Sequence, residues 1–244
     1  MFSNKSEYDH GVNTFSPEGR IFQIEYAHAA IKLGSTSLGL QTAEGVIIAA
    51  EKRIASTLVN VTSVNKIQEI DSHIACVMSG MVADAKILIE HARVESQWHR
   101  FTYNEPMPVE SCTLSTCDLS LRFGDGGQRK KGLARPFGVS LLIAGVDDLG
   151  PQLWQTDPSG TFTRYEAMAI GAGAEAANSV FLEQYHKSMT LAEGEKLLVT
   201  ILKQVMEDKL SSKNVEVCCV RADTKQLTTY TPEAIQAIID RLDP

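Results

Sequence analysis

Leu33-Gly34-Ser35-Thr36 places a glycine and then a hydroxyl residue where a helical pattern gives way to a strand pattern. That arrangement suits self-processing chemistry. Cleavage between Gly34 and Ser35 would expose Ser35 as an N-terminal nucleophile. A serine hydroxyl needs a base within hydrogen-bond reach, and a free α-amine with a pKa of about 8 can be that base. A peptide nitrogen cannot, because its lone pair is delocalised. Ser35 is therefore inert unless the 34 residues before it are removed. The segment Ile21–Leu33 argues against removal. Ile21, Ile24, His28 and Ile31 recur at helical spacing and make an apolar stripe that needs burial; a disposable leader needs none. Two readings follow: a hydrolase self-processed at Gly34–Ser35, and an uncut chain that works by contact.

Three other constellations could do chemistry. Ile170-Gly171-Ala172-Gly173-Ala174-Glu175 leads from a strand into a helix, as phosphate-cradling loops do. It lacks the third glycine and any Walker lysine, and Glu175 would repel a phosphate, so a tight turn is the better reading. A nucleotide-binding module is the alternative. His91, Glu95 and His99 are one helical turn apart and could hold a metal. They lack the H-E-x-x-H order, and Arg93 and Arg100 crowd the same helix, which reads as a solvated face. Arg129-Lys130-Lys131, in the basic loop "GDGGQRKKGLAR", could meet an acidic partner but reads as a solvated run. The five cysteines at 76, 112, 117, 218 and 219 form no C-x-x-C pair and read as reduced core thiols. Cys218 and Cys219 should face opposite sides of one strand.

The elements that must position these groups follow from periodicity. A helix over Ile21–Leu33 follows the Phe15-Ser16-Pro17-Glu18-Gly19-Arg20 turn. Strands are expected at 35–42, 45–50, 66–70 and 73–78, then helices at about 82–103, with Ala85, Leu88 and Ala92 inward, and 109–123, with Val109, Cys112, Thr116 and Cys117 inward. Strands resume at 138–146, 152–155, 161–164 and 167–170, the Asp157-Pro158-Ser159-Gly160 turn closing one hairpin. Helices over 174–185 and 191–210, strands 215–221 and 227–230, and a helix from Pro232 capped by Thr231 complete the order. Grouped strands with short turns argue for antiparallel sheets rather than βαβ units. The expected class is α+β, a four-layer sandwich of two antiparallel sheets between helix layers. No linker divides the chain, so residues 1–244 read as one domain.

Composition narrows the partners. The chain is 43% hydrophobic and 22% charged with a net charge of −7, which disfavours a nucleic-acid partner. No apolar run approaches the roughly 20 residues of a membrane helix, so no membrane partner is expected. The polar start MFSNKSEYDHG lacks a signal-peptide core. These features point to the cytoplasm and nucleus.

Tyr8-Asp9 followed by Phe15-Ser16-Pro17-Glu18-Gly19-Arg20-Ile21-Phe22-Gln23-Ile24-Glu25-Tyr26-Ala27 resembles the N-terminal signature of α-type proteasome core subunits. Further matches are Glu44-Gly45-Val46, Glu51-Lys52-Arg53, Lys66-Ile67, Met78-Ser79-Gly80, Arg135-Pro136-Phe137-Gly138-Val139 and Asp157-Pro158-Ser159-Gly160-Thr161. GVNTFSPEGR, AIKLGST, FTYNE and LKQVMEDKL resemble one subtype of that family above the others. The resemblance covers essentially the whole chain. It implies the N-terminal-nucleophile-hydrolase-like αββα sandwich and a non-catalytic place in a heteroheptameric α ring of the 20S core. Implied partners are two neighbouring α subunits, β-ring subunits, activators and regulatory-particle ATPase C-termini, and unfolded polypeptide in transit. It implies no cofactor and no metal. The catalytic threonine, aspartate and lysine of the β relatives fall on Ser35, Glu51 and Lys66. Ser35 is internal and Glu51 is one methylene longer than aspartate, so no catalytic residue is expected. Lys66, with Gly34 and Gly80, would instead line a pocket for an activator's C-terminal carboxylate. Residues 1–14 would be the gate tail, 15–33 the turn and helix beside it, and 34–244 the sandwich. Tyr8, Asp9, Pro17 and Tyr26 match the cluster that holds an open gate. His10 departs from the arginine usual there. Arginine stays charged, whereas histidine titrates near neutrality, so an ionic contact made by His10 should be weaker and pH-dependent.

Overall fold

A strand that is apolar on both faces must be covered on both. Gly45-Val46-Ile47-Ile48-Ala49-Ala50 is such a strand, and it lies at the centre of the molecule. The structure, a computed structural model, describes residues 8–54, 56, 58–123 and 133–242. In chain order it contains α1 (Phe22–Lys32), β1 (Ser37–Thr42), β2 (Gly45–Glu51), β3 (Ile67–Asp71), β4 (Ile74–Gly80), α2 (Val82–Tyr103) and α3 (Val109–Ser120). Then follow β5 (Val139–Asp147), β6 (Gly150–Thr156), β7 (Phe162–Tyr165), β8 (Ala167–Ile170), α4 (Ala174–Gln184), α5 (Leu191–Val205), β9 (Val215–Arg221), β10 (Leu227–Thr229) and α6 (Pro232–Ile239). Residues 124–132 of the basic loop, which include Arg129, Lys130 and Lys131, and residues 1–7 of the tail lie outside the described residues.

The strands make two five-stranded sheets, ordered β10-β9-β2-β1-β8 and β3-β4-β5-β6-β7. Every pairing is antiparallel. Period-2 alternation divides the core into layers. Val46, Ile48 and Ala50 meet Ala75, Val77, Leu142 and Ala144 between the sheets. Ile47 and Ala49 point the other way, toward Leu198, Ile201 and Leu202 of α5. On the second sheet's outer side, Cys76, Met78, Leu141 and Ile143 pack on Ala85, Leu88, Ala92 and Cys112 of α2 and α3. The result is the four-layer αββα sandwich read from the sequence. Cys218 lies between the sheets and Cys219 faces the helices. Burial pushes the thiols of Cys76 and Cys112 up to about 12, which keeps them protonated.

Several boundaries shift. α5 stops at Val205 rather than at residue 210, although Glu207 and Lys209 favour helix. Asn214 overrides that propensity: its side chain accepts from the Ser211 N–H at 2.8 Å and donates to the Lys209 carbonyl at 3.0 Å, folding the segment into the turn that feeds β9. α5 begins with a capping box between Thr190 and Glu193, and Thr231 caps α6 as expected. α3 ends at Ser120, three residues short of residue 123. Phe123 instead bridges to Leu133 across the loop. The buried face of α1 is Phe22, Ala27 and Ile31, not the Ile21–Ile24–His28–Ile31 stripe.

An ion pair joins α2 to the segment that leads into β5. Asp84, in the first turn of α2, accepts from Arg135 at 2.6 and 2.9 Å and from the Gly138 N–H at 2.9 Å. Burial alone would raise the Asp84 pKa. Those hydrogen bonds and the Arg135 charge outweigh it and hold the carboxyl below the usual 3.8. A lowered acid stabilises the fold above its unfolded value and loses that contribution as pH falls through the folded one. Arg135→Ala should therefore cost about 2 kcal/mol at neutral pH, less than a fully buried pair because the guanidinium is half exposed. Urea unfolding at pH 7 and at acid pH reads this as a midpoint shift that shrinks on acidification.

Candidate functional site

The end of the sandwich where α1 enters is built around two glycines. The Gly34 N–H donates to the Ile31 carbonyl at 2.9 Å, closing α1, and its carbonyl accepts from the Ala172 N–H at 2.9 Å. Gly34 passes so close to Gly80 that a Cβ on it would overlap the Gly80 amide. Gly80 itself has φ +112°, a conformation that side chains with a Cβ rarely adopt. Ser79 Oγ lies 3.0 Å from the Ser35 carbonyl and 3.3 Å from that of Ile31, tying the helix exit to β4.

Ser35 sits in this joint, two residues ahead of β1 rather than at the strand's start. It is 4% exposed. Its hydroxyl has no hydrogen-bond partner among the described residues, and its nitrogen is a peptide nitrogen. Glu51 is occupied elsewhere: Oε2 accepts the Thr36 N–H at 3.0 Å, and Oε1 accepts Arg53 Nε at 3.1 Å. Arg53 also reaches the Leu33 carbonyl at 3.2 Å. These residues brace the entry of the chain into β1.

Lys66 is half buried beside them. Its backbone N–H donates to Glu216 Oε2 at 2.7 Å, while Glu216 Oε1 pairs with Lys52 at 2.6 Å. Among the described residues no carboxylate lies within ion-pair distance of the Lys66 ammonium. Burial is the largest cause lowering its pKa from the usual 10.5, and the neighbouring Arg53 charge adds to it. Glu51 and Glu216 oppose both without cancelling them. Such an ammonium gains from any arriving anion. Sequence reasoning missed Arg53 and Ser79 as parts of this corner, because what ties them to it are the carbonyls of Leu33, Ile31 and Ser35, distant in the chain, and a carbonyl leaves no residue-type signal.

The N-terminal segment is fastened to α1. Tyr26 donates its hydroxyl to Asp9 Oδ2 at 3.0 Å, and Gln23 Nε2 donates to the Asp9 carbonyl at 2.6 Å. The bond to Asp9 is the largest cause raising the Tyr26 pKa above its usual value. His10 is 86% exposed, with Nε2 3.8 Å from Asp9 Oδ1. The Ser16–Arg20 turn closes through the Ser16 N–H to the Arg20 carbonyl at 2.9 Å, leaving Pro17 exposed on it. Arg20 then grips Glu25 at 2.5 and 2.6 Å. Of the cluster read from the sequence, Asp9 and Tyr26 meet directly and His10 stands beside them. Tyr8 is half buried and makes no hydrogen bond among the described residues.

This geometry coincides with what comparison finds. The family model described as "Proteasome subunit" matches residues 31–220. A second model, the A-type "N-terminal signature" of proteasome subunits, matches residues 8–30. The chain belongs to the proteasome subunit family. It is 69% identical over 241 residues to the alpha type-5 proteasome subunit of Trypanosoma brucei brucei, covering 99% of this chain and 98% of that one. It is 52% identical over 244 residues to the alpha type-5 subunit of Dictyostelium discoideum, over the full length of both. The probable alpha type-5 subunit of Schizosaccharomyces pombe is 57% identical over 224 residues, 91% of each chain. The chain is thus an α-type subunit of the 20S core, the non-catalytic kind, and the sandwich is the fold of the proteasome family.

In this proteasome subunit the other candidate sites have structural roles. The Ala172 N–H is taken by the Gly34 carbonyl, the Gly173 N–H by Thr36 Oγ1 at 3.0 Å, and the Ala174 N–H by the Gly171 carbonyl. The amides that would cradle a phosphate are thereby committed to the Ser35 corner. His91 Nε2 bonds the Ser115 carbonyl at 3.2 Å and so links α2 to α3. Among the described residues no group of His, Cys, Asp and Glu is placed to hold a metal, and no helix is long and apolar enough to cross a membrane.

Proposed function

We propose that the chain is a structural and gating subunit of the α ring. As one unit of residues 1–244 it binds two α neighbours and β-ring subunits. It presents residues 1–14 toward the path of unfolded substrate and receives activator or ATPase C-termini at Lys66, Gly34 and Gly80, in the cytoplasm and nucleus. The single observation that supports this best is that the segment before Ser35 is part of the fold. α1 packs on β4 and β5, and Asp9 is bonded to Tyr26. A segment held at both ends positions a tail; a leader about to be cut away would need neither anchor.

A second feature supports assembly. Ile87, His91, Val94, Trp98 and Phe101 recur at spacings of four and three along α2, a seam pattern for a packed partner. Yet Ile87, Val94, Trp98 and Phe101 are 50%, 56%, 56% and 90% exposed. An apolar stripe of this kind marks a protein interface.

The gate reading predicts that Tyr26→Phe, which removes the hydroxyl and keeps the ring, lowers activator-stimulated hydrolysis by assembled particles several-fold while leaving chain incorporation unchanged. An unchanged stimulated rate would count against a gating role for the Asp9–Tyr26 bond. His10→Arg should flatten the dependence of peptide hydrolysis between about pH 6 and pH 8; superimposable profiles would remove His10 from the account.

A further inference from the structure

A methionine sulfur takes up oxygen from a peroxide when solvent carries the peroxide to it. Among the described residues Met81 is the methionine most open to water, at 43% exposed, whereas Met78, Met107 and Met189 are 2%, 7% and 7% exposed. Met168 and Met206 are half buried. The position of Met81 gives this exposure a consequence. It follows Gly80, the residue that meets Gly34, and stands at the N-cap of α2. Its N–H donates to the Gly138 carbonyl at 2.9 Å, and its carbonyl accepts from the Asp84 and Ala85 N–H groups, each at 3.1 Å. The side chain lies across Gly138, where an added Cβ would come within 2.9 Å of Met81 Sδ. The thioether is therefore held against the backbone at the surface.

The segments that meet at the two glycines carry apolar side chains into solvent. Leu33, just before Gly34, is 79% exposed, and Val82, just after Met81, is 42% exposed. A partner seated on Gly34 and Gly80 covers apolar surface here and gains from doing so. A sulfoxide on Met81 would set a strong acceptor on that rim. The nearest main-chain donors are committed: the Met81 N–H to the Gly138 carbonyl, and the Gly138 N–H to Asp84 Oδ2 at 2.9 Å. Water alone then answers the new oxygen, and covering it strips that water without replacing it.

We propose that Met81 is a reversible oxidation site whose sulfoxide weakens docking at Lys66, Gly34 and Gly80. The effect on docking rests on the role proposed above for that corner. The chemistry balances. Hydrogen peroxide transfers one oxygen atom to Sδ, the sulfur is oxidised by two electrons, and the peroxide leaves as water. In the reverse step two thiols supply two electrons and join as a disulfide, and the oxygen leaves as water.

Assembled particles treated with graded hydrogen peroxide, then with catalase, test this in two stages. Peptide mass spectrometry of this chain should find that Met81 gains oxygen roughly tenfold faster, or more, than Met78, Met107 and Met189. Anisotropy of a fluorescent peptide with an activator's C-terminal sequence and a free carboxylate should then report binding weakened by about threefold or more. Methionine sulfoxide reductase with a thiol should restore it. Met81→Leu, which keeps volume and apolar surface, should lose no binding on peroxide treatment, whatever its starting affinity. Oxidation of Met81 no faster than that of the buried methionines would overturn the inference. So would undiminished binding once Met81 is oxidised, or an equal loss in Met81→Leu particles. Untreated particles that fail to bind the peptide would overturn the docking role itself, and this inference with it.

Discussion

Lys66→Ala should weaken the proposed docking of an activator's C-terminal carboxylate on this chain by roughly thirtyfold, the equivalent of about 2 kcal/mol for a lost charge contact in a partly desolvated site. The expectation follows from the corner's electrostatics rather than from charge alone. Lys66 is half buried, Arg53 repels it, and the nearby carboxylates are spent: Glu51 on Thr36 and Arg53, Glu216 on Lys52 and the backbone of Lys66. A carboxylate docked there would supply a partner for the Lys66 ammonium. The pH dependence has a definite sign. A lysine with a lowered folded pKa loses its proton before an ordinary lysine does, so docking should weaken on the alkaline side at a pH below the usual 10.5 of lysine. Lys66→Arg keeps its charge there and should abolish that alkaline loss, even where the different head-group geometry lowers affinity at neutral pH. Binding of a C-terminal activator peptide to assembled particles, measured by fluorescence anisotropy across pH, checks both parts. Equal affinity of Lys66→Ala and the unchanged chain would remove Lys66 from the pocket.

Trp98→Glu combined with Phe101→Glu should exclude the chain from the assembled core while leaving its fold intact. Both side chains are more than half exposed on α2, so a charge on either is solvated in the free chain and costs the fold little. In an interface each would be a buried, unpaired carboxylate. Losing a buried aromatic anchor typically costs at least 2 kcal/mol, and burying a lone charge adds to that. Co-purification with the other core subunits should fall by more than about a hundredfold, while far-ultraviolet circular dichroism of the free chain stays unchanged. Normal incorporation of the double variant would show that the stripe faces solvent in the particle.

How much of this was legible depended on whether a signal was local. α2 is bounded at 82–103 as read, because Ala85, Leu88 and Ala92 repeat at helical spacing and Asn104, at φ 56°, stops the helix. The two-sheet sandwich followed from short turns between strand patterns. The buried face of α1 was misread because two stripes compete in the same helix. Phe22, Ala27 and Ile31 form the second, and only the position of β4 and β5 selects it. The end of α5 was hidden for a similar reason, since Asn214 acts from beyond the helix. At the site, Lys66, Gly34 and Gly80 were named through family resemblance, as were Asp9 and Tyr26, which the structure brings into contact. Gln23 leaves no such trace, because its partner is a backbone carbonyl 14 residues earlier in the chain. Nor could the commitment of Glu51 to the Thr36 N–H be read, since it depends on the register between β1 and β2.

Ser35 decides between contact and catalysis. Its hydroxyl is buried without a partner among the described residues, its nitrogen is a peptide nitrogen, and the carboxylate aligned with the catalytic one is spent on the backbone. Native mass spectrometry of the assembled core, followed by release of this chain and determination of its intact mass, tests that claim most directly. Retention of residues before Ser35, with no covalent label from an active-site hydroxyl reagent on this chain, is the expected result. A mature chain that begins at Ser35 and takes up the reagent would contradict the account.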